Sequence, residues 1–338
     1  MSTRRPERHV LLVTYGEPPT PSFVEHLVYS WRILLGLTRM VADIPLVLLP
    51  LIALARGLSR NRTWTTERYG SPLEAITEAQ ARRLAETLCR LAPATDWRVH
   101  VAYEFRDPLI PAALKRIPDD ASVDVMPMYV ADSAFTHEIS RTTLRKRRDG
   151  RVGSGSRARV LPALPEETMA EVSVAHLKRQ LATLGIEPGR EWALVLATHG
   201  TLLEPKRPIE TGRLATERVC RLIAERVSNE FGFVTHGWLN HDRGGRWTEP
   251  AMDEALRDVA ARGFTRIAYF PCGFLADNAE SQLEGRIFLR ERPEFEAFHV
   301  ACLNDASELI EALARQVIGA SASATTAPAE ALIGSERE

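Results

Sequence analysis

The chain has 338 residues, 45% hydrophobic and 26% charged, which is enough for two domains that each bury a core. A formal net charge of -1 supplies no general attraction to nucleic acid or to an acidic lipid surface. The cysteines, Cys89, Cys220, Cys272 and Cys302, lie far apart with no C-x-x-C pair, which argues against a structural zinc site and a disulfide framework and fits a reducing, cytoplasmic setting.

At the amino terminus, residues 1–9 are short and basic, and the apolar run 10–13 that follows is only strand length, so export is not expected. In the first half, strands are expected near 9–14, 98–104, 123–129 and 158–161, with helical patterns at 74–92, 108–116 and 135–147. The almost wholly apolar run 44–55, inside a segment from about 37 to 60, is too short and too broken by proline to span a bilayer. It reads either as a buried core helix or as an exposed apolar lip flanked by Arg39, Arg56 and Arg60. Residues 145–148 form a basic run typical of a solvated face. Gly150, Gly153 and Gly155 follow a helix end and not a strand, so they make a loop and not a dinucleotide fingerprint.

The second half repeats the alternation, with strands near 192–198, 232–238, 265–270 and 297–301 and helices around 166–184, 208–226, 250–261 and 304–318. Strands separated by helices of this length form parallel sheets with right-handed crossovers. The fold class is therefore α/β: two similar domains, each a parallel four-stranded sheet flanked by helices, with the active site in the cleft between them. The expected units are 1–165, 166–303, a helix 304–320 that packs back on the first domain, and a disordered tail 321–338 rich in Ala, Ser and Thr.

The halves also match as an internal repeat. Residues 11–16 parallel 194–200, and 126–132 parallel 270–277, which sets Tyr15 and His199 at equivalent places on facing walls. The runs 192–196 and 267–270 read as buried parallel strands, so His199 and Glu280 fall at the carboxyl edge where ligands bind in open α/β sheets. An imidazole and a carboxylate there can accept protons and hold a divalent metal, and Glu284 follows Glu280 one helical turn later. On spacing alone, His199 reads more readily as a structural residue, Glu280 and Glu284 as a solvated helix face, Trp247 as core, and Tyr15 as a strand end. No phosphate-binding P-loop and no G-x-S-x-G elbow occurs.

Val13-Thr14-Tyr15-Gly16-Glu17-Pro18, Tyr69-Gly70-Ser71-Pro72-Leu73-Glu74-Ala75-Ile76-Thr77, Thr198-His199-Gly200, Trp247, and Gly273-Phe274-Leu275-Ala276-Asp277 followed by Glu280 resemble, in order and spacing, the ferrochelatases from about residue 9 to 318. The resemblance implies a chelatase-like, two-domain lyase of haem biosynthesis that inserts Fe(II) into a porphyrin. It puts His199 and Glu280 on the catalytic wall as proton acceptor and metal ligands, Glu284 as a relay, and Tyr15 and Trp247 against the ring. No cofactor beyond the substrate Fe(II) is expected, and no iron–sulfur cluster. Insertion must remove two pyrrolic protons, and a neutral imidazole suits that task near neutral pH.

Three departures from the family pattern bear on rate and metal choice: Asn278 where a histidine is common, Glu17 where a small residue is usual, and Ser281-Gln282-Leu283. The alternatives are a chelatase for another metal or tetrapyrrole and a non-catalytic porphyrin or haem carrier. Tyr15 resembles coproporphyrin-type enzymes, whereas the segment 37–60 resembles the apolar lip of protoporphyrin-type ones. Protoporphyrin IX is favoured over coproporphyrin III, with Arg32 and Arg39 as candidate propionate partners. The expected location is the cytoplasm, with peripheral contact at the inner face of the membrane through 44–55 and no nucleic-acid partner.

Overall fold

Val10 to Val13 are completely buried, so β1 (Glu7–Thr14) carries apolar side chains on both faces, as a strand covered on both sides by helices must. The structure, a computed structural model, describes residues 5–37, 45–149, 157–205, 208–240 and 245–326. In it β1 is an inner strand of a parallel sheet ordered β2-β1-β3-β4, with β2 (Asp96–Tyr103), β3 (Ser122–Pro127) and β4 (Arg157–Val160). The second half has the same order about β5 (Trp192–His199): β6 (Phe233–Leu239), then β5, β7 (Arg266–Phe270) and β8 (Glu296–His299), again all parallel.

The register carries the internal repeat to single residues. Leu12 pairs with Met126, and Leu196 pairs with Phe270. These are the partners expected if Tyr15 and His199 are equivalent, and both follow or end the central strand of their sheet.

Helix α1 (Phe23–Leu37) packs on α2 (Leu49–Thr66), which a 3₁₀ turn at Leu46–Leu48 precedes. Then come α3 (Leu73–Leu91), α4 (Ile110–Leu114) and α5 (His137–Asp149) of the first half, and α6 (Glu166–Thr183), α7 (Arg213–Val227) and α8 (Met252–Ala261) of the second. A wide π-helical turn, Ala279–Glu284, runs into α9 (Gly285–Arg290), and α10 (Ser307–Thr326) ends the described chain. Helix α3 buries Ala81, Leu84 and Leu88 at helical spacing, and these join Val10 and Leu12 of β1, Leu194 and Leu196 of β5, and Leu313 and Val317 of α10 in one continuous core. Helix α10 therefore lies against α3 as well as α6. Gln316 Nε2 donates to Pro162 O at 2.9 Å, and the Ser321 hydroxyl to Asp124 Oδ2 at 3.4 Å.

Several sequence expectations need correction. The tail expected to be disordered from residue 321 is helical as far as Thr326, and residues 327–338 lie outside the described residues. The helix expected from 208 begins at Arg213, because Gly212 has φ 76° and marks the turn before it. Helix α1 was not expected, and the helical turn expected to carry Glu280 and Glu284 is a wide π turn, Ala279–Glu284. Arg39 and the glycine loop 150–155 also lie outside the described residues. The apolar run divides between its two readings: Leu49 and Ala53 are buried against Leu34, while Leu46 (73%), Val47 (80%) and Leu51 (65%) face outward. Among the described residues no helix is long and apolar enough to cross a membrane.

Candidate active site

The carboxyl ends of β1, β2, β3 and β5, together with the turn Ala279–Glu284, enclose a cavity of about 400 Å³ between the halves. Two glycines admit the chain to its walls. Gly16 has φ 72°, and a Cβ there would sit 2.9 Å from Arg106 Cβ, so Tyr15 and Glu17 are presented by a turn only glycine makes without strain. At Gly200 a Cβ would lie 2.1 Å from Asn240 Oδ1 and 2.7 Å from Leu239 O, so nothing larger fits directly after His199.

On the second-half wall, His199 Nδ1 lies 2.8 Å from Glu280 Oε1 and 2.9 Å from Oε2. A proton on Nδ1 is donated to that carboxylate, which makes Nε2 the basic nitrogen of the ring. About half of the imidazole surface (51%) is accessible, but from within the cavity, so the group is both reachable and desolvated. Burial alone would lower its pKa; the charge and hydrogen bond of Glu280, with Glu284 behind, outweigh that and raise it above the ordinary value. Glu284 also lines the cleft. Burial, then repulsion from Glu280, pushes its carboxyl up to about 7, against the pull of Arg60.

The turn that carries both carboxylates is fixed at its start. Asn278 Oδ1 accepts from the amides of Glu280 at 2.9 Å and Ser281 at 3.0 Å, and Asn278 N–H donates to Ser281 Oγ at 3.0 Å. These are the bonds of an N-cap, which gives Asn278 and Ser281 a physical role where the family pattern has other residues. Asp277 is anchored in turn by Cys302 N–H at 2.9 Å and Asn304 Nδ2 at 2.8 Å. Trp247 sits on a short ribbon that pairs 201–203 with 246–248, is half-buried and lines the cavity, so it is not a core residue.

The facing wall is aromatic and acidic. Tyr15 lines it, and burial, with Glu17 next, keeps its phenol protonated far above neutral pH. Glu104 follows β2 as Tyr15 follows β1; burial raises its carboxyl to about 8 against an interaction with Tyr129, and its Oε1 has no hydrogen-bond partner. Sequence reasoning missed Glu104, Tyr29 and Tyr129, although the strand-edge rule that found Tyr15 applies equally to Glu104 and Tyr129. Arg32, expected as a propionate partner, is engaged by Asp107 at 2.9 Å and Phe105 O at 3.3 Å, and among the described residues the guanidinium groups that line the cavity are those of Arg56 and Arg60. Among the described residues no group of three or more His, Cys, Asp or Glu side chains is arranged to hold a metal ion, so His199, Glu280 and Glu284 do not make a closed coordination shell.

The fold, with two equivalent parallel sheets facing across one cleft, is that of the chelatases. It resembles the solved structures of CbiX, the terminal enzyme of sirohaem biosynthesis in denitrifying bacteria (TM-score 0.53, 19% identity, 93% of this chain and 99% of that one), and of SirB from Bacillus subtilis with Fe3+ (TM-score 0.56, 11% identity, 94% and 97%). In sequence, the chain is 26% identical over 283 residues to a ferrochelatase of Mesorhizobium japonicum (77% of this chain, 74% of the relative) and 27% identical over 323 residues to one of Bradyrhizobium diazoefficiens (88% of each). It is 25% identical over 215 residues to a coproporphyrin III ferrochelatase of Geobacillus kaustophilus (62% of this chain, 67% of the relative). The family model described as Ferrochelatase matches residues 7–320, and the chain belongs to that family, the lyases that insert iron into a porphyrin in haem biosynthesis.

Proposed function

We propose that this chain inserts Fe(II) into protoporphyrin IX, with His199 as the first proton acceptor and metal ligand. The observation that carries the reading is the His199–Glu280 pair, set on the cavity wall across from Tyr15. Nε2 takes a pyrrolic proton while Nδ1–H stays bonded to Glu280, whose charge stabilises the imidazolium. Glu284, titrating at about 7, can take up and release a proton near neutral pH and so serves as the next station for protons leaving or metal arriving. Two protons leave the macrocycle as one dication enters, so charge balances without another cofactor. Tyr15 remains a neutral phenol on the opposite face of the ring, and Trp247 contributes an aromatic surface at its edge.

The preference for two propionates over four follows from the supply of cations. Among the described lining residues the guanidinium groups are those of Arg56 and Arg60, and Arg60 is already paired with Glu17. Each further propionate desolvated there without a partner is costly. The outward-facing Leu46, Val47 and Leu51, continued by Val24 and Val28 of α1, favour peripheral contact of the lip with the inner face of a membrane, where an apolar porphyrin partitions. The test is steady-state insertion of Fe(II) and Zn(II) by the purified full chain, with both porphyrins side by side. His199→Ala is expected to abolish insertion while changing porphyrin binding by no more than about tenfold, since ring contact is mostly apolar area. Binding without turnover in the parent would make the chain a carrier, and a preference for coproporphyrin III would overturn the substrate assignment.

A further inference from the structure

Glu17 is 3% exposed, and its carboxylate collects donors from three separate parts of the chain. The Ser71 hydroxyl, just before α3, donates to Oε2 at 2.6 Å; the Ala279 amide, first of the π-helical turn, donates to the same oxygen at 2.9 Å; and Arg60 Nη2, on α2, donates to Oε1 at 3.3 Å. Two of these donors belong to the first half and one to the second.

The Ala279 bond is the informative one. Amides at the start of a helical turn have no partner within it. Here Asn278 satisfies those of Glu280 and Ser281, and Glu17 reaches across the cleft to satisfy that of Ala279. The residue so fixed directly precedes Glu280, whose carboxylate must stay within hydrogen-bond distance of His199. A small side chain at position 17 would leave the buried Ala279 amide without this acceptor. Arg60 extends the connection outward, because its guanidinium lies over the rings of Tyr29 at 5.2 Å and Trp64 at 5.6 Å on the inner side of the lip helix.

We propose that Glu17 is a positioning residue for the insertion reaction: from the first half it holds the start of the turn that carries Glu280, and through Arg60 it ties the lip helix to the His199–Glu280 pair. The inference rests on the proposed roles of His199 and Glu280. A buried ion pair adds little net stability over well-packed apolar groups, so the value of this one lies in the geometry it fixes.

The experiment compares Glu17→Ala and Glu17→Gln with the parent, all as full chains, by steady-state Zn(II) insertion and by hydrogen exchange at the amides of residues 279–281. Glu17→Ala is expected to lower kcat by about 100-fold, the usual consequence of a misplacement of about 1 Å, with the porphyrin KM unchanged within about threefold. Exchange at Ala279 should accelerate at least about tenfold as its acceptor is lost. Glutamine keeps an oxygen for Ala279 N–H but gives up the charge opposite Arg60, so Glu17→Gln should keep the parent's exchange rate at Ala279 and recover most of the kcat lost in Glu17→Ala, the remaining deficit being the share of the Arg60 tie. A kcat for Glu17→Ala within about twofold of the parent, or a Gln variant as impaired as the Ala one, overturns the proposal. If Glu17→Ala does not fold, the Gln variant decides on the same two readouts. A parent chain that inserts no metal refutes the proposed function, and the exchange measurement still decides whether Glu17 holds the turn.

Discussion

Replacing Glu280 with glutamine separates the two things its carboxylate does for His199. In the parent, burial disfavours the imidazolium, yet Glu280, with Glu284 behind it, raises the pKa of His199 above 6.5. Glutamine preserves the shape and an acceptor oxygen for Nδ1–H but removes the charge. An opposite charge within about 4–6 Å is worth about 1–3 pKa units, each about 1.4 kcal/mol. With that attraction gone, burial prevails and His199 falls below 6.5. A base is blocked by its own proton at pH below its pKa. The acid limb of the rate profile therefore stands above pH 6.5 in the parent and should move down by at least about one unit in Glu280→Gln. The plateau should nonetheless fall by about two to four orders of magnitude, because no carboxylate remains to stabilise the imidazolium formed as the ring gives up its proton. The assay is Zn(II) insertion followed by porphyrin fluorescence from pH 5 to 9, with an NMR titration of His199 in parallel. A limb that stays in place or moves up would refute the reasoning and put the titrating group elsewhere.

Asn278→Ala removes the acceptor of two amides and should cost about 1 kcal/mol in stability together with a loss of turnover; an unchanged thermal midpoint and unchanged kcat would remove the cap from the account. Leu46, Val47 and Leu51 changed together to Ser should weaken liposome binding with little effect on thermal stability, whereas Leu49→Ala should cost about 2–5 kcal/mol in the same scan; the reverse pattern would assign the outward residues to the core. Glu104, with its folded-state carboxyl at about 8 against an ordinary 4.5, binds an extra proton in the folded state between those values, so its contribution to stability falls as pH rises through that window. Glu104→Gln should therefore raise the thermal midpoint at pH 8.5 by about 2 °C or more and leave it nearly unchanged at pH 4.5, and equal shifts at both would refute the burial of that charge.

The inner strands were legible because they are covered on both faces, where alternation gives way to short continuous apolar runs such as Val10 to Val13 and Leu194 to Ala197, while the edge strands β2 and β8 are only partly buried. Their carboxyl ends then pointed to Tyr15, His199 and Glu280, and all three line one cavity. Helix α1 was hidden, and the run 44–55 left open between core helix and exposed lip, for a related reason. Val24, Val28 and Trp31 face outward, as do Leu51 and Leu54, so the apolar residues surround these helices and do not form one stripe. Pro50 reads as a breaker in sequence but occupies the first turn of α2, where its missing N–H is not needed. Glu17 and Asn278 looked like departures because their meaning lies in partners. Ser71 and Ala279 are far from Glu17 along the chain, and no local pattern announces such a bond.

The packing of α10 against α3 also has a bearing on how the chain is made. The apolar face of α3 built from Leu84 and Leu88 is complete in sequence by residue 91, yet its cover, Leu313 and Val317, comes more than two hundred residues later. At about 5–20 residues per second of synthesis, that face stays open to solvent or to a chaperone for tens of seconds. The first sheet can form early on the ribosome, but its outer seal is added only once the last helix has emerged. A stalled or shortened product that ends before Ser307 would thus carry an exposed apolar strip on its first half, a defect that quality-control proteases can recognise far from any catalytic residue.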